Sequence, residues 1–475
     1  MARGHSRGGE EAETPPYGID ADGRPVDIGR RRRSAHPLQT PHSGRHFEPS
    51  RPPSPSEIRR PPTPPGRAMW CFAPLRRFRR RDRRFTEGWY YRLTLPDEGE
   101  SFVFIFSVED PGHEPRSDLA LACMQVMGPG DEYLVQAGRD AVDRFWAWRG
   151  SQGLGCAFEW EVDGSGVGAE SDGDTGESLA AALVPEEWRR RVRSGFQVLP
   201  NSLQGKLVGH DGTMGGVLEG QGVPGTCDFD LTIDPVAGWG NYGNGNEDVV
   251  PGPDQRRRQL STAGWLASLP VFEPHWQITM AHARASGTVT WKGRKYEVKN
   301  APFYAEKNWG GAFPPKWYWV QCNSFVGYPD LSVTAGGGIR ELPLLGGRTE
   351  SLGLLGVHYG GRFYEAVPWT GDVGWRVEPW GRWELRGRCI EGDRTFEVEL
   401  TATCDGHPGL PLRAPTKDRG MQYFARDTFY ADMTLTLWEL QRDEGKKRLV
   451  RVEPPLIDGA FSPQGGVEVG GGPWQ

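Results

Sequence analysis

The stretch "ESFVFIFSVED" at residues 100–110 alternates in a way that decides the fold class. One face of an extended strand would carry Phe102, Phe104 and Phe106, and the other face would carry Val103 and Ile105. Apolar residues on both faces predict a strand that is buried on both sides of its sheet. A protein built around such a strand must cover both faces of that sheet.

Similar alternation recurs along the chain, in "RTFEVELTA" at 394–402 and "MTLTLWEL" at 433–440. "TVTWKGRKYEV" predicts a hairpin that turns at Lys292 and Gly293. One helix is predicted in "VPEEWRRRVRSG", with Pro185 at its start and Gly195 as its stop. Many short strands with turn signals predict an all-β fold. Rings inside a barrel would line a ligand cavity of the lipocalin type.

The bulk composition excludes several classes of function. The chain has 475 residues and a net charge of −6, so no overall attraction to nucleic acid is expected. Seven scattered Cys without a C-x-x-C pair argue against a zinc ribbon or a disulfide framework and favour a reducing compartment. No phosphate-binding G-x-x-x-x-G-K-[ST] loop occurs, and the ten His are dispersed. The sequence therefore predicts no metal site and no cofactor.

The first part of the chain differs from the rest in composition. Residues 1 to about 83 are rich in Pro and Arg and poor in aliphatic residues, which predicts disorder. A basic start containing Ser and Pro is compatible with organelle targeting. However, Glu10, Glu11 and Glu13 depart from the acid-poor pattern of transit peptides.

Three segments place ionisable groups among aromatic rings. They are "FTEGWYYRL" at 85–93, "STAGWLASLPVFEPHWQITMA" at 261–281 and "NAPFYAEKNWGGAFPPKWYWVQCNSF" at 300–325. A carboxylic acid held against rings is desolvated, which raises its pKa and lets it donate a proton. The π faces of the rings attract a cation. This combination predicts protonation of an alkene and stabilisation of the resulting carbocation.

The predicted catalytic residues come from two of these segments. Glu306 is the first candidate for the proton donor, with Lys307 or Asn308 fixing its protonation or orienting a phenol. The alternative is a buried Glu–Lys pair that locks the junction between two barrels. Glu273 and His275 follow as the acid, or as the base for the phenol. Their alternative is a turn followed by a hydrogen-bonded core histidine.

The predicted substrate-binding residues are Glu87, Trp89, Tyr90, Trp276, Trp309, Trp317 and Trp319. The alternative for each aromatic residue is that its ring only packs in the core and does not stabilise a cation. Glu87 alternatively satisfies backbone donors at the start of a strand. His358 and Cys322 are expected to be buried structural residues.

Several long segments, in order from about Thr40 onward, resemble tocopherol cyclases of plants, algae and cyanobacteria. They include "TPHSGRHF", "EGWYYRL", "STAGWLASLPVFEPHWQI", "EKNWGGAFPPKWYWVQCN", "PLRAPT" and "VEVGGGPW". A weaker pattern that ends in Asn308, Trp309 and Gly310 is similar to that of carotenoid hydratases, a related calycin-like group with two barrels.

The resemblance implies two lipocalin-like, calycin-type antiparallel β-barrels with few short helices. It implies cyclisation of a prenylated hydroquinone, such as dimethyl-phytyl-benzoquinol or methyl-phytyl-benzoquinol, to a chromanol, without cofactor or metal. It also implies a plastid location with peripheral contact to lipid droplets (plastoglobules). Two alternatives remain open: an alkene hydratase, and a non-catalytic carrier of lipids or quinols.

The predicted organisation has three parts. Residues 1–39 form a disordered or targeting tail, residues 40–314 an N-terminal barrel, and residues 315–475 a C-terminal barrel. Residues 48–84 form a Pro/Arg-rich insert, because "TPHSG" and "EGWY" lie almost adjacent in the family that the chain resembles. The insert is either a flexible loop or translated intron.

Overall fold

The computed structural model describes residues 84–111, 117–147, 153–162, 166–167, 182–211, 224–240, 262, 274–341, 348–368, 371–377 and 380–472. The predicted tail at 1–39 and nearly all of the insert at 48–84 lie outside these residues. No helix among the described residues is long and apolar enough to cross a membrane.

The described residues in the first half of the chain form twelve strands: β1 (Thr86–Leu95), β2 (Glu100–Glu109), β3 (Leu121–Gly128), β4 (Glu132–Gly138), β5 (Trp146–Ala147), β6 (Leu154–Val162), β7 (Gly166–Val167), β8 (Val192–Leu199), β9 (Ser202–Asp211), β10 (Pro224–Ala237), β11 (His275–Trp291) and β12 (Arg294–Gly310). Helix α1 spans Pro185–Arg191, and short 3-10 turns span Pro129–Asp131 and Asp140–Arg144. The prediction of an all-β fold with little helix is confirmed.

Eight of these strands close into a barrel. Their order is β10, β11, β12, β1, β2, β3, β4 and β9, and β9 pairs again with β10. Closure pairs both edges of each of the eight strands, which removes edges that would otherwise need protection. Strands β8, β6 and β5 continue the sheet from β9.

Aromatic rings fill the interior of this barrel. Phe106 stacks on Phe196 with ring centroids 4.0 Å apart, and Phe104 packs against Phe229 at 4.3 Å. A closed sheet of about eight strands has an interior just wide enough for its own side chains. The rings inside this barrel pack against one another and do not line a ligand cavity, contrary to the expectation.

The outer face of the same strands is buried as well. Val103 and Ile105 of β2 pack in a cluster with Leu412 and Ala425 from the second half of the chain. The prediction that β2 is buried on both sides is confirmed. At β2 the outer face of the barrel is thus an internal surface of the protein, covered by the second half.

The predicted hairpin and helix have different outcomes. Strands β11 and β12 pair antiparallel and turn at Lys292 and Gly293, with φ of 48° and 87°. Helix α1 begins at Pro185 as predicted but ends at Arg191, not at Gly195. Gly195 lies within β8 at φ 147°, where a Cβ atom would come 2.3 Å from the carbonyl oxygen of Cys156. This glycine permits close strand pairing and does not stop the helix.

The second half contains β13 (Lys316–Cys322), β14 (Ser332–Glu341), β15 (Thr349–Tyr359), β16 (Arg362–Ala366), β17 (Asp372–Val377), β18 (Arg382–Glu391), β19 (Arg394–Thr403), β20 (Leu410–Thr416), β21 (Gly420–Thr428), β22 (Asp432–Asp443), β23 (Arg448–Arg451), β24 (Ile457–Ser462) and β25 (Val467–Gly472). One seven-stranded sheet has the order β16, β15, β14, β13, β25, β21, β20. The other has the order β17, β18, β19, β22, β23, with β24 also paired to β22.

These two sheets share one core. Val398 of β19 and Leu435 of β22 pack there with Val320 of β13 and Val469 of β25. The chain passes from the barrel sheet to the seven-stranded sheet between Gly310 and Lys316. The boundary at 314/315 falls within this segment and stays a prediction.

Candidate active site

A cavity of about 570 Å³ lies between the outer face of the barrel and the seven-stranded sheet. Its aromatic wall consists of Trp89, Tyr90, Trp276, Trp309, Phe313, Trp317, Tyr318 and Trp319. The volume and the mostly apolar wall are those of a small-molecule site. Both halves of the chain contribute, so the cavity exists only where they pack together.

Glycine residues of β14 form the part of the wall beside the rings of β13, on the same sheet. A Cβ atom on Gly336 would lie 2.7 Å from the ring of Trp276, and one on Gly337 would lie 2.3 Å from the carbonyl oxygen of Leu352. Because these β14 residues have no side chain, they leave open the volume that the aromatic rings and a ligand occupy. The glycine backbone contributes shape here, and the aromatic rings contribute chemistry.

Glu306 of β12 holds a buried carboxyl group at this cavity. Its Oε2 accepts hydrogen bonds from Trp276 Nε1 at 2.7 Å, Tyr304 Oη at 2.6 Å and Trp319 Nε1 at 3.0 Å. Its Oε1 accepts one from Asn308 Nδ2 at 3.1 Å. Burial raises the pKa of Glu306, while these four donors favour the carboxylate and oppose that shift. Trp319 belongs to β13, so Glu306 also connects the two halves.

A second buried network lies beside the first. The hydroxyl of Tyr90 donates to Glu468 Oε1, and Arg92 Nε lies 3.2 Å from Glu468 Oε2. Arg92 Nη1 also donates to the carbonyl oxygen of Gln321 at 3.2 Å. Burial raises the pKa of Glu468, and the Arg92 guanidinium opposes that shift. These contacts join β1 of the barrel to β13 and β25 of the second half.

Asp427 of β21 is a site residue that the sequence analysis missed. It lines the cavity and is 6% exposed. Its Oδ1 has no hydrogen-bond partner among the described residues. Burial, reinforced by the charges of Asp131 and Glu306, raises the pKa of Asp427 to about 8. The available signal was weak: an acid in the strand "QYFARDTFY", with rings two or three positions away.

The structure places Lys307 on the opposite face of β12 from Glu306. Its Nζ pairs with Glu87, and both side chains are buried. The same Nζ lies 4.8 Å from the ring centroid of Trp309 and 5.5 Å from that of Trp89. Side chains alternate along a strand, so residues 306 and 307 cannot share one site. The buried Glu–Lys pair considered for this segment is thus formed with Glu87, and it faces away from the cavity.

The other predicted residues divide between these two faces. Tyr90, Trp276, Trp317 and Trp319 line the cavity as predicted. Trp89 and Trp309 reach its boundary, while their rings flank the Lys307 ammonium group. The ring of His275 stacks on Trp309 at 5.1 Å, on the Lys307 side. The remaining candidate acid, Glu273, lies outside the described residues.

The predicted structural residues are buried. His358 Nε2 lies 3.0 Å from the carbonyl oxygen of Gly240, and burial lowers the pKa of His358 to about 4. Cys322 is buried, and burial raises the pKa of its thiol. In the part of the chain that the structure describes, no three His, Cys, Asp or Glu side chains are grouped so that they could hold a metal ion.

An all-β protein with buried carboxyl groups in an aromatic cavity belongs to the class that accommodates apolar small molecules. Its sequence assigns it further: the tocopherol cyclase-like family matches residues 83–471, and the chain belongs to that family. It is 39% identical over 448 residues to a protein of Oryza sativa subsp. japonica named as a probable chloroplastic tocopherol cyclase. It is 38% identical over 448 residues to the chloroplastic tocopherol cyclase of Zea mays.

Each of these alignments covers 92% of this chain and 79% of the relative. Among solved structures, kievitone hydratase from Nectria haematococca is 12% identical with a TM-score of 0.35. That comparison covers 81% of this chain and 88% of the hydratase chain.

Proposed function

We propose that the protein is a tocopherol cyclase that closes the chromanol ring of tocopherols in vitamin E biosynthesis. The substrates are phytyl-benzoquinols, namely dimethyl-phytyl-benzoquinol and methyl-phytyl-benzoquinol. Family membership and the names of the rice and maize relatives support this proposal. The single observation that carries it is the placing of two buried carboxyl groups, Glu306 and Asp427, in one cavity walled by aromatic rings.

The reaction needs an acid, a cation-stabilising surface and a base, but no change of oxidation state. A proton adds to the alkene nearest the quinol ring and leaves a tertiary carbocation. The phenol oxygen bonds to that carbon and loses its own proton, so the product is an isomer of the substrate. The faces of Trp276, Trp317 and Trp319 supply negative π density to the cation. Because the steps transfer protons and form one C–O bond without any change of oxidation state, acid–base catalysis suffices.

The cavity wall suggests how the substrate lies. The phytyl tail is apolar and is accommodated along the rings and the glycine backbone of β14. The quinol head is the polar end, and Asn308 beside Glu306 offers it an amide within the same network. Both relatives are named as chloroplastic, so we place this reaction in the plastid, at a lipid surface from which the substrate is taken.

The test uses the full chain with dimethyl-phytyl-benzoquinol in detergent, under reducing conditions, in deuterated buffer. The expected product is a chromanol with one new C–D bond on the former alkene carbon. Glu306→Gln is expected to lower turnover at least about 100-fold, the typical contribution of a positioned acid or base. Glu365→Gln is the matched control, since Glu365 accepts a hydrogen bond from Trp239 Nε1 at 2.7 Å but does not line the cavity.

Two other outcomes would overturn the proposal. An open-chain tertiary alcohol as the product would identify an alkene hydratase, because water would have captured the cation in place of the phenol. Saturable binding of the quinol without conversion, unchanged in Glu306→Gln, would identify a carrier.

A further inference from the structure

We propose that Asp427 donates the proton that starts the cyclisation, and that Glu306 is the base that receives the phenol proton. This inference rests on the proposed function and assigns the roles of two carboxyl groups in the same cavity. It replaces Glu306, the first candidate from the sequence, as the donor.

The hydrogen bonds of the buried carboxyl groups separate their roles. Glu306 accepts from four donors, which stabilise a negative charge on it. Glu468 is engaged by the Tyr90 hydroxyl and the Arg92 guanidinium and does not line the cavity. Asp427 lines the cavity and keeps Oδ1 without a hydrogen-bond partner among the described residues. A buried oxygen left unpaired in this way requires an explanation.

The surroundings of Asp427 favour its neutral form. Carboxyl groups face it from three elements: Glu306 of β12, Glu468 of β25 and Asp131 of the 3-10 turn after β3. The Arg92 guanidinium lies 3.2 Å from Glu468 Oε2 and opposes the rise in the pKa of Glu468. Like charges in a buried cluster cannot all ionise, so the group with the fewest donors keeps its proton.

The absence of a side chain at one glycine leaves space for Asp427 Oδ1. A Cβ atom on Gly470 of β25 would lie 1.8 Å from Asp427 Oδ1, so any side chain at residue 470 would displace the carboxyl group. Gly471, the next residue, supplies a backbone N–H to Asp427. In the segment "VEVGGGPW", Gly470 thus leaves space for the Asp427 carboxyl group, and Gly471 donates a backbone hydrogen bond to it at the cavity wall.

The proposed steps balance in protons and electrons. The O–H bond of Asp427 breaks as a C–H bond forms on the alkene carbon nearer the quinol ring. The cation on the tertiary carbon accepts an electron pair from the phenol oxygen, a C–O bond forms, and the phenol O–H bond breaks toward the Glu306 carboxylate. When the chromanol leaves, Glu306 releases a proton to water and Asp427 takes one up, which restores the starting state.

The test compares Asp427→Asn, Glu306→Gln and the wild-type protein over a range of pH. Asp427 must be protonated to act, so wild-type kcat/KM is expected to fall as pH rises through about 8. Asp427→Asn is expected to lower kcat/KM by about 100- to 10,000-fold while quinol binding persists. Asp110→Asn is the matched control, since Asp110 is buried but binds Phe85 N and Ser117 Oγ away from the cavity.

The pH profile of Glu306→Gln gives a reading that does not depend on the folding of Asp427→Asn. Removing the charge of Glu306 lowers the pKa of Asp427, so the fall in activity is expected at lower pH than in the wild type. Full loss of activity in Glu306→Gln, with activity retained in Asp427→Asn, would make Glu306 the donor and overturn the assignment. Absence of chromanol from the wild-type protein would instead overturn the proposed function itself.

Discussion

Replacing Lys307 by Met tests whether the buried pair with Glu87 is structural. The change leaves the Glu87 carboxyl group, which is 0% exposed, without its ammonium partner. Breaking a buried ion pair from one side costs about 3–5 kcal/mol, because the remaining charge stays desolvated. The flanking Trp89 and Trp309 rings also lose a cation, a contribution of up to about 2 kcal/mol in a desolvated site.

The double variant Glu87→Met with Lys307→Met separates these contributions. Two apolar side chains of similar volume remove both charges, and such replacements are often neutral or stabilising by about 1–4 kcal/mol. We therefore expect the double variant to recover most of the free energy of unfolding that Lys307→Met loses. Its turnover is expected to match the wild type, because the pair faces away from the cavity.

Equilibrium urea unfolding, followed by tryptophan fluorescence and near-ultraviolet circular dichroism, measures Lys307→Met, Glu87→Met and the double variant in a double-mutant cycle. Lys295→Met serves as the control, since the Lys295–Glu297 pair lies on the same strand but is exposed, and surface pairs contribute little. Additive destabilisation in the double variant would refute the buried pair. A stable double variant without turnover would show that Lys307 acts in catalysis.

Three further predictions concern the cavity and the buried histidines. Gly336→Ala places a Cβ atom 2.7 Å from the ring of Trp276 and displaces that ring from Glu306, so steady-state kinetics is expected to show a lower kcat and a higher KM. Trp319→Phe removes one donor to Glu306 and is expected to cost about 1–3 kcal/mol beyond the loss in the control Trp383→Phe, whose indole N–H has no partner among the described residues. An equal loss in urea unfolding would contradict this. Burial lowers the pKa of His282 to about 3 and of His358 to about 4, so the unfolded chain binds more protons below pH 6.5, and stability is lost as pH falls from 6.5 toward 4. Each histidine is expected to contribute about 2 kcal/mol of that loss at pH 5, so the double variant His282→Asn with His358→Gln should flatten the dependence by about 4 kcal/mol. An unchanged pH dependence of unfolding would show that neither histidine is held neutral.

Local patterns in the sequence were sufficient to predict the strands. The alternation in residues 100–110 placed the rings of Phe102, Phe104 and Phe106 inside the barrel, where they are 0% exposed. Strand periodicity depends on neighbours in the chain, so it is readable from one sequence. The extent of α1 was wrong because the sequence alone could not distinguish a glycine that stops a helix from one that permits close strand pairing.

The site was only partly predictable, since it depends on pairing between distant strands. The aromatic segments indicated Tyr90, Trp276 and Trp319, whose rings converge on Glu306 or pack beside it, while their role in substrate binding stays a prediction. The sequence predicted that residues 306–308 share one site. Lys307 does not line the cavity with Glu306, because consecutive residues of a strand face opposite sides of the sheet. Asp427 could not be found from its neighbours, since its environment is created by β25 and β12, remote in the sequence.

The glycine residues and the aromatic residues that line the cavity differ in how they can change by substitution. Gly336 and Gly337 present only main chain, which every residue shares, so a substitution there can add atoms but cannot remove any. Trp276, Trp317 and Trp319 already carry the largest side chain, so substitutions there can only remove bulk. Variation at the glycine residues would therefore narrow the range of accepted tails, and variation at the aromatic residues would broaden it. Selection for a shorter or longer prenyl chain would act on different strands.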